Sequence, residues 1–405
     1  MPSPERRYSV SLQGRRVGIL HARDETTRFV LDPEYIEDPD RAVLGLRFEE
    51  DLRAERRSTK RLPPWFSNLL PEGSLRDWIA EQRGVAVSRE LELLAEVGHD
   101  LPGAVVVAQT DDQMAASPAR IVEHAPPGSD SVQWRFSLAG VQMKFSLLQS
   151  AERFTLPASG QGGDWIVKLP DAKFGLVPRN EHAMMDLARR AGLDVPEARL
   201  VHRDALPVLP DSLWPNGETF AFAVRRFDRG PGGLRVHAED LAQVRGFYPD
   251  AKYSGSFETV ASLVYRRRDV ASLQELARRI AFNVLIRNSD AHLKNWSLLY
   301  RNPRVPTLSP VYDLVCVGVY ADVDKDLGLR LGGSKRFENV TLGTFAALQA
   351  KLGCPGPSLR DVAADTIERA VAAWGDVEVM LSDTPLVRHI DTVVRSSAKS
   401  LLRGG

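Results

Sequence analysis

Cysteine is scarce in this chain: there are two in 405 residues, Cys316 and Cys354, with no Cys-x-x-Cys pair and no Cys/His spacing of the kind that holds zinc. A disulfide framework and a structural zinc site are thereby set aside, and a reducing compartment is the natural setting. No apolar run approaches the roughly 18 residues that span a bilayer. The start, Met-Pro-Ser-Pro-Glu-Arg-Arg, leads into a strand-like segment without the apolar stretch of a secretory signal. The expectation is a cytoplasmic protein with no membrane partner. Excess charge of one sign is missing too. Lys plus Arg and Asp plus Glu each number 53, which speaks against sequence-independent nucleic-acid binding over the whole surface and leaves room only for a local basic patch. The chain also lacks an internal repeat, a long low-complexity tract and an evident helix-turn-helix unit. What remains is the composition of a soluble globular enzyme, 43% apolar and 26% charged, long enough for two or three packed units.

Strand-like stretches open the chain at Tyr8 to Leu12, Arg16 to His21 and Arg28 to Leu31, with Gln13-Gly14-Arg15 suited to a tight hairpin. Apolar residues at three- and four-residue spacing predict helices over Leu75 to Arg83 and Arg89 to Val97. Residues 110 to 130 read as a polar connection. Strands are expected again at Trp134 to Leu138, Met143 to Leu148, Arg153 to Leu156 and Trp165 to Leu169. A helix follows from about Glu181 to Ala191, with Asn180 as N-cap and Gly192 past its end, and then a strand from Phe220 to Phe227. Beyond residue 230 the pattern is mostly helical. Ser272-Leu-Gln-Glu275 reads as a capping box for a helix whose apolar face is Leu273, Leu276, Ile280, Val284 and Leu285, and which ends against Asn288-Ser-Asp290.

The chemistry concentrates in Asp290-Ala-His-Leu-Lys-Asn295. Many phosphotransferases place an Asp five positions before an Asn in their catalytic loop: the Asp accepts the proton of the attacking hydroxyl and the Asn holds magnesium. A second metal-binding Asp belongs downstream after a short hairpin, and Asp313 in Pro310-Val-Tyr-Asp-Leu-Val315 fits. Upstream, Lys168 in Trp165-Ile-Val-Lys-Leu169 suits a strand lysine that reaches the phosphates of ATP. Asn295 and Asp313 are hard oxygen donors of the kind Mg2+ takes. His292 and Lys294 share the turn with Asp290, and Lys294 is placed to touch a transferring phosphate. Ser137-Leu-Ala-Gly-Val-Gln-Met-Lys144 occupies the place of a phosphate-covering loop, its small Ala139-Gly140 pair letting backbone N–H groups approach and Lys144 adding charge. Taken singly, each has a plainer reading: a solvent-facing strand lysine, a helix-end turn, a hairpin. Asp313 in its apolar run resists one, since a carboxylate there needs a partner. The order of the set points to an ATP-dependent kinase.

These residues resemble the HipA family, the serine/threonine kinase toxins of bacterial HipBA toxin–antitoxin modules. The resemblance runs over nearly the whole chain, through Phe66 to Gly73, Leu94 to Gly98, Gly103-Ala104, Ser137 to Lys144, Ile166 to Pro170, Asn180-Glu181, Arg226 to Arg229, His237 to Asp240, Asp290 to Asn295 and Tyr312-Asp313. It implies an α+β, bilobal protein-kinase-like fold with an extra β-rich N-terminal subdomain (residues 1–110), a small lobe (131–228) and a helical C-terminal lobe (229–405). Asp290 would be the catalytic residue, Asn295 and Asp313 the magnesium ligands, and Lys168 the phosphate-gripping lysine. Ala139, Gly140, Val141, Gln142, Met143 and Lys144 would cover the phosphates. Arg225, Arg226 and Phe227 would form the hinge that meets adenine through its backbone. His292, Leu293, Lys294, Asn295 and Tyr312 would complete the nucleotide site, and Ser137 falls where members autophosphorylate to expel the loop and switch off. Two positions depart from the family pattern: Met143 stands for an acidic residue, and Arg225 for a Glu. The implied partners are a HipB-like helix-turn-helix antitoxin, operator DNA mainly through that antitoxin, and an aminoacyl-tRNA synthetase as substrate. Two other readings compete: a catalytically weak kinase-fold module that docks an antitoxin in autorepression, and a small-molecule kinase sharing the Asp-x-x-x-x-Asn logic.

Overall fold

Alternation starts the fold. In β1 (Arg6–Leu12) Tyr8, Val10 and Leu12 are buried and the residues between them are not, the period-two pattern of a half-buried strand. Gln13 and Gly14 both take positive φ, 51° and 81°, the pair of left-handed residues that lets a two-residue turn match the strand twist. The chain reverses there into β2 (Arg15–Arg23), then β3 (Thr26–Leu31) and β4 (Arg56–Thr59). With β5 (Val105–Gln109) against β1, these strands make an antiparallel sheet in the order β4-β3-β2-β1-β5. Helices α1 (Gly73–Arg83) and α2 (Glu90–Val97) belong to the same part of the chain. This computed structural model describes residues 4–110, 143–150, 153–155, 162–382 and 384–403. The expected strand at Trp134 to Leu138, together with Ser137, Ala139, Gly140, Val141 and Gln142, lies outside them.

A second antiparallel sheet runs β7-β6-β8-β10-β9, from β6 (Lys144–Ser150), β7 (Arg153–Thr155), β8 (Trp165–Lys168), β9 (Ala198–His202) and β10 (Phe220–Arg225). Phe145, Leu147, Trp165 and Val167 pack into the same apolar cluster as the first sheet, so the two sheets share one core. Helix α3 (Val177–Arg190) lies across the second sheet and buries Ala183, Met184, Met185 and Leu187. It starts earlier than the sequence pattern predicts. Pro178, fixed near helical φ, opens the first turn, and Asn180 is not the cap. Its buried side chain instead accepts from Cys316 N at 2.9 Å and donates to Cys316 O at 3.1 Å.

The rest is helical around a small sheet of β11 (His237–Asp240), β12 (Ser297–Tyr300) and β13 (Thr307–Leu308). Helix α4 (Leu241–Arg245) leaves β11 through a capping box between Asp240 and Gln243. Then come α5 (Phe257–Tyr265), α6 (Val270–Leu285), α7 (Leu342–Leu352), α8 (Leu359–Glu378) and α9 (Leu386–Leu402). The apolar face expected for α6 is buried in full against α5 and α8. Its cap differs from expectation. Asp269 accepts from Ser272 N at 2.9 Å, while the Ser272 hydroxyl accepts from Leu308 N at 3.1 Å and Glu275 pairs with Arg279 at 2.8 Å. A tertiary contact claimed the serine, and the acid three residues earlier took over the helix end.

Candidate active site

Strand β8 ends on Lys168, and the next helix brings Glu181 to it. The ammonium donates to Glu181 Oε1 at 2.5 Å and also to Asp313 Oδ1. Lys168 and Glu181 are 5% and 1% exposed, so water screens the pair little. Burial alone would lower the Lys168 pKa, but the two carboxylates outweigh it and hold the amine firmly charged. Burial pushes Asp313 up, and Lys168, aided by Lys144, drives it far below the usual carboxylate range. Burial also pushes Glu181 up, to about 7, with Lys168 opposing. Among the described residues, Glu181 Oε2 is buried without a hydrogen-bond partner.

Asp313 sits at φ 56°, a left-handed conformation that aspartate tolerates better than most residues. Asn288 Nδ2 donates to its carbonyl at 3.1 Å and to Asn283 Oδ1 at 2.8 Å, tying the segment to the end of α6. The loop after α6 carries Asp290, whose side chain keeps 57% of its surface exposed. Its carboxylate accepts from the Tyr253 hydroxyl, and its backbone carbonyl accepts from Asn295 Nδ2 at 2.9 Å. With its nitrogen so engaged, the Asn295 amide has its oxygen left for a cation. His292 Nε2 lies 4.0 Å from Asp290 Oδ1. Burial lowers the ring to about 4, so it is neutral near pH 7.

A cavity of about 800 Å³ gathers these groups. Lys144, Lys168, Arg225, Arg226, Phe227, Asp290, His292, Lys294, Asn295, Tyr312 and Asp313 all line it, while Ile166, Phe222 and Val224 give it an apolar wall. Lys144 is paired in register with Lys168, and burial lowers its amine to about 8. Met143 packs on the N-terminal apolar cluster, where an acidic side chain would be costly. Leu293 turns into the core, and its N–H donates to Lys252 O at 3.0 Å. Tyr312 donates to Lys294 O at 2.7 Å, and its ring lies 5.7 Å from that of Phe227.

In the segment expected as the hinge, the Arg225 side chain is exposed and faces Glu197 at 3.4 Å. Arg226 is buried between Asp100 (3.0 Å) and Asp228 (2.8 Å), and Arg229 completes the cluster at 2.7 and 2.9 Å from the same two acids. The N–H groups of Arg225 and Arg226 donate to Glu197 O and Asp164 O, both at 2.8 Å. Among the described residues, the Phe227 N–H makes no backbone hydrogen bond.

Sequence reasoning gave no role to Glu181, Glu72, Lys252, Tyr253 or Asn288. Glu181 was within reach, because the kinase template pairs its strand lysine with a glutamate on the following helix. Asn288 stands two residues before Asp290 and Glu72 lies within the Phe66 to Gly73 stretch, but nothing local shows what either touches, and Lys252 and Tyr253 lie far from the motif.

Two family models match the chain: "HipA N-terminal domain" over residues 8–108 and "HipA-like C-terminal domain" over residues 136–374. A Sinorhizobium fredii protein named "Putative kinase Y4dM" is 41% identical over 405 residues, covering 97% of this chain and 96% of its own. The serine/threonine-protein kinase toxin HipA of Shewanella oneidensis is 27% identical over 357 residues, 80% of this chain and 79% of that one. A solved structure, the Shewanella oneidensis complex of HipA, HipB and its operator DNA, contains a chain that superposes with a TM-score of 0.75 at 24% identity, covering 97% of both chains. That likeness establishes the kinase-like α+β fold. No helix among the described residues is long and apolar enough to cross a membrane. With the C-terminal model covering more than half of the sequence and a 41% identical relative matching end to end, this chain belongs to the HipA family.

Proposed function

We propose that this protein is an ATP- and magnesium-dependent serine/threonine protein kinase and the toxin of a toxin–antitoxin pair. The observation that carries the reading is Lys168 held between Glu181 and Asp313 in the cavity that also receives Asp290 and Asn295. Phosphoryl transfer asks for grip, charge neutralisation and in-line positioning more than for covalent help. Lys168 and Lys144 supply positive charge for the phosphates. Asp290, exposed at the cavity mouth, is the acceptor for the proton of the incoming hydroxyl. The apolar wall of Ile166, Phe222 and Val224 suits a flat base, with the Phe227 N–H as its backbone donor. Asp313 and the Asn295 oxygen are the residues that would hold magnesium, which neutralises phosphate charge when bound. The donor set fits: both are hard oxygens, and two protein ligands are enough for an ion that keeps phosphate oxygens and water in its shell.

In this reading residues 1–110, 131–228 and 229–405 are the N-terminal subdomain, the small lobe and the helical lobe. The partner is a HipB-like helix-turn-helix antitoxin that carries the contact with operator DNA, as supported by the Shewanella oneidensis HipA–HipB–operator assembly. The substrate is an aminoacyl-tRNA synthetase whose phosphorylation stops tRNA charging and growth. Autophosphorylation of Ser137 is the off-switch.

Phosphate incorporation into protein from labelled ATP tests the central reading: wild type is active with magnesium and Asp290→Ala is not. Equal incorporation by the two proteins refutes it. Phosphoproteomics after expression names the substrate, and Ser137→Glu should weaken ATP binding if that serine is the switch.

A further inference from the structure

The loop that carries Asp290 and Asn295 is pinned from outside the kinase-like body. Lys294, between them, is 7% exposed. Its ammonium donates to Asn68 O at 2.9 Å and to Asn68 Oδ1 at 3.2 Å, and lies 2.9 Å from Glu72 Oε1. The ammonium thus gives two hydrogen bonds to Asn68 and faces Glu72 as an ion pair. The other Glu72 oxygen accepts from Lys252 at 2.9 Å, and Lys252 precedes Tyr253, whose hydroxyl binds Asp290. At the far end of the same residue, the Lys294 carbonyl accepts from Tyr312 at 2.7 Å, next to Asp313. One carboxylate from the N-terminal part of the chain therefore ties down two buried lysines, and each leads to Asp290 by a separate path. Asp240 Oδ2 forms a longer ion pair with the same ammonium, at 3.8 Å.

Resting on the kinase reading above, we propose that Glu72 is a positioning residue of the catalytic loop: through Lys294 and Lys252 it holds Asp290 and Asn295 in register with the cleft, so that the N-terminal part of the chain completes the active site. Asn68 seconds it through both of its oxygens. Lys294 is then a strut rather than a phosphate contact in this arrangement, because it is buried, hydrogen-bonded to Asn68 and ion-paired with Glu72.

Glu72→Gln keeps the shape and exchanges one acceptor oxygen for an amide nitrogen that cannot accept from lysine. Displacing a catalytic group by about 1 Å can lower a rate on the order of 100-fold. The expected result is a kcat for phosphate incorporation lowered about 10- to 100-fold, with the KM for ATP within about threefold, because Lys168 and the hinge are untouched. Glu72→Asp, which keeps the charge, should fall between the two and carries the test if the glutamine variant does not fold. The backbone amides of residues 291–295 should exchange faster with solvent, while those of α6 stay as they are. Joined to Lys294→Met, Glu72→Gln should lower kcat little further, since both changes cut the same strut. If the two losses multiply, or if both Glu72 variants keep kcat within about twofold of an active wild type, the role of Glu72 is overturned. A wild type that incorporates no phosphate overturns instead the kinase reading beneath it.

Discussion

Replacing Arg226 with Met probes the cluster that joins the segment after β10 to the N-terminal part of the chain. The Arg226 side chain is 1% exposed, and its partners Asp100 and Asp228 are 3% and 8% exposed. Its Nε and two terminal nitrogens donate to both carboxylates, to Ser146 Oγ at 3.0 Å and to Leu101 O at 3.2 Å. With Arg229 the cluster holds two cations and two anions, and removing one cation strands a buried negative charge. Breaking a buried pair on one side costs about 3–5 kcal/mol, or roughly a 150- to 4,000-fold shift in the folding equilibrium. Methionine retains the apolar stem, so cavity formation adds little. The assay is urea unfolding of the full chain, followed by tryptophan fluorescence, with Trp165 one residue from the Asp164 carbonyl that accepts from the Arg226 N–H. Adding Asp228→Leu to Arg226→Met removes the stranded anion, leaves the Arg229–Asp100 pair (2.7 Å) and should recover part of the loss. The reasoning fails if Arg226→Met changes stability by less than about 0.5 kcal/mol, the range of a surface substitution. It fails equally if the double variant is weaker than the single one.

Three further outcomes are expected. Lys168→Ala should lower kcat/KM for ATP by at least about 100-fold, in line with loss of a preorganised charge contact; steady-state kinetics giving less than about a fivefold change would contradict that. Asn180→Ala leaves both main-chain groups of Cys316 without their buried partner and should reduce stability by about 1–3 kcal/mol, measured by the same urea unfolding. Burial raises the Glu72 carboxyl, but Lys294 and Lys252 outweigh that and hold it at about 2, below its ordinary 4.5. A depressed acid stabilises the fold above its unfolded value, so this contribution is present above about pH 4.5 and is lost as pH falls towards 2. Acid titration of unfolding stability should show that slope in wild type and a flatter one in Glu72→Gln.

Local pattern carried much of the fold. Alternation in Tyr8 to Leu12 and three-four spacing in Leu273 to Leu285 announce a half-buried strand and an amphipathic helix, because burial on one face leaves a period in the residues themselves. Strands β4, β9 and β11 escaped that reading. Arg56–Thr59 is charged and only half covered, β9 has three partly buried residues in a row before Val201, and His237–Asp240 is buried on both faces without alternation. Two helix ends were misplaced for one reason: Asn180 and Ser272 look like caps locally, but distant partners, Cys316 and Leu308, hold their side chains.

The candidate residues could be named from one dimension because the proposed reaction, phosphoryl transfer, needs a lysine, two aspartates and an asparagine in a fixed order, and order survives in a sequence. Family membership follows from the same order and from the likeness of the whole chain. Only the folded structure decided which charges face one another. Glu181 meets Lys168 across 13 residues, and Glu72 meets Lys252 and Lys294 across 180 and 222. An ion pair needs two groups within a few ångströms in a medium that screens them weakly, and neither that distance nor that burial is a property of either segment alone.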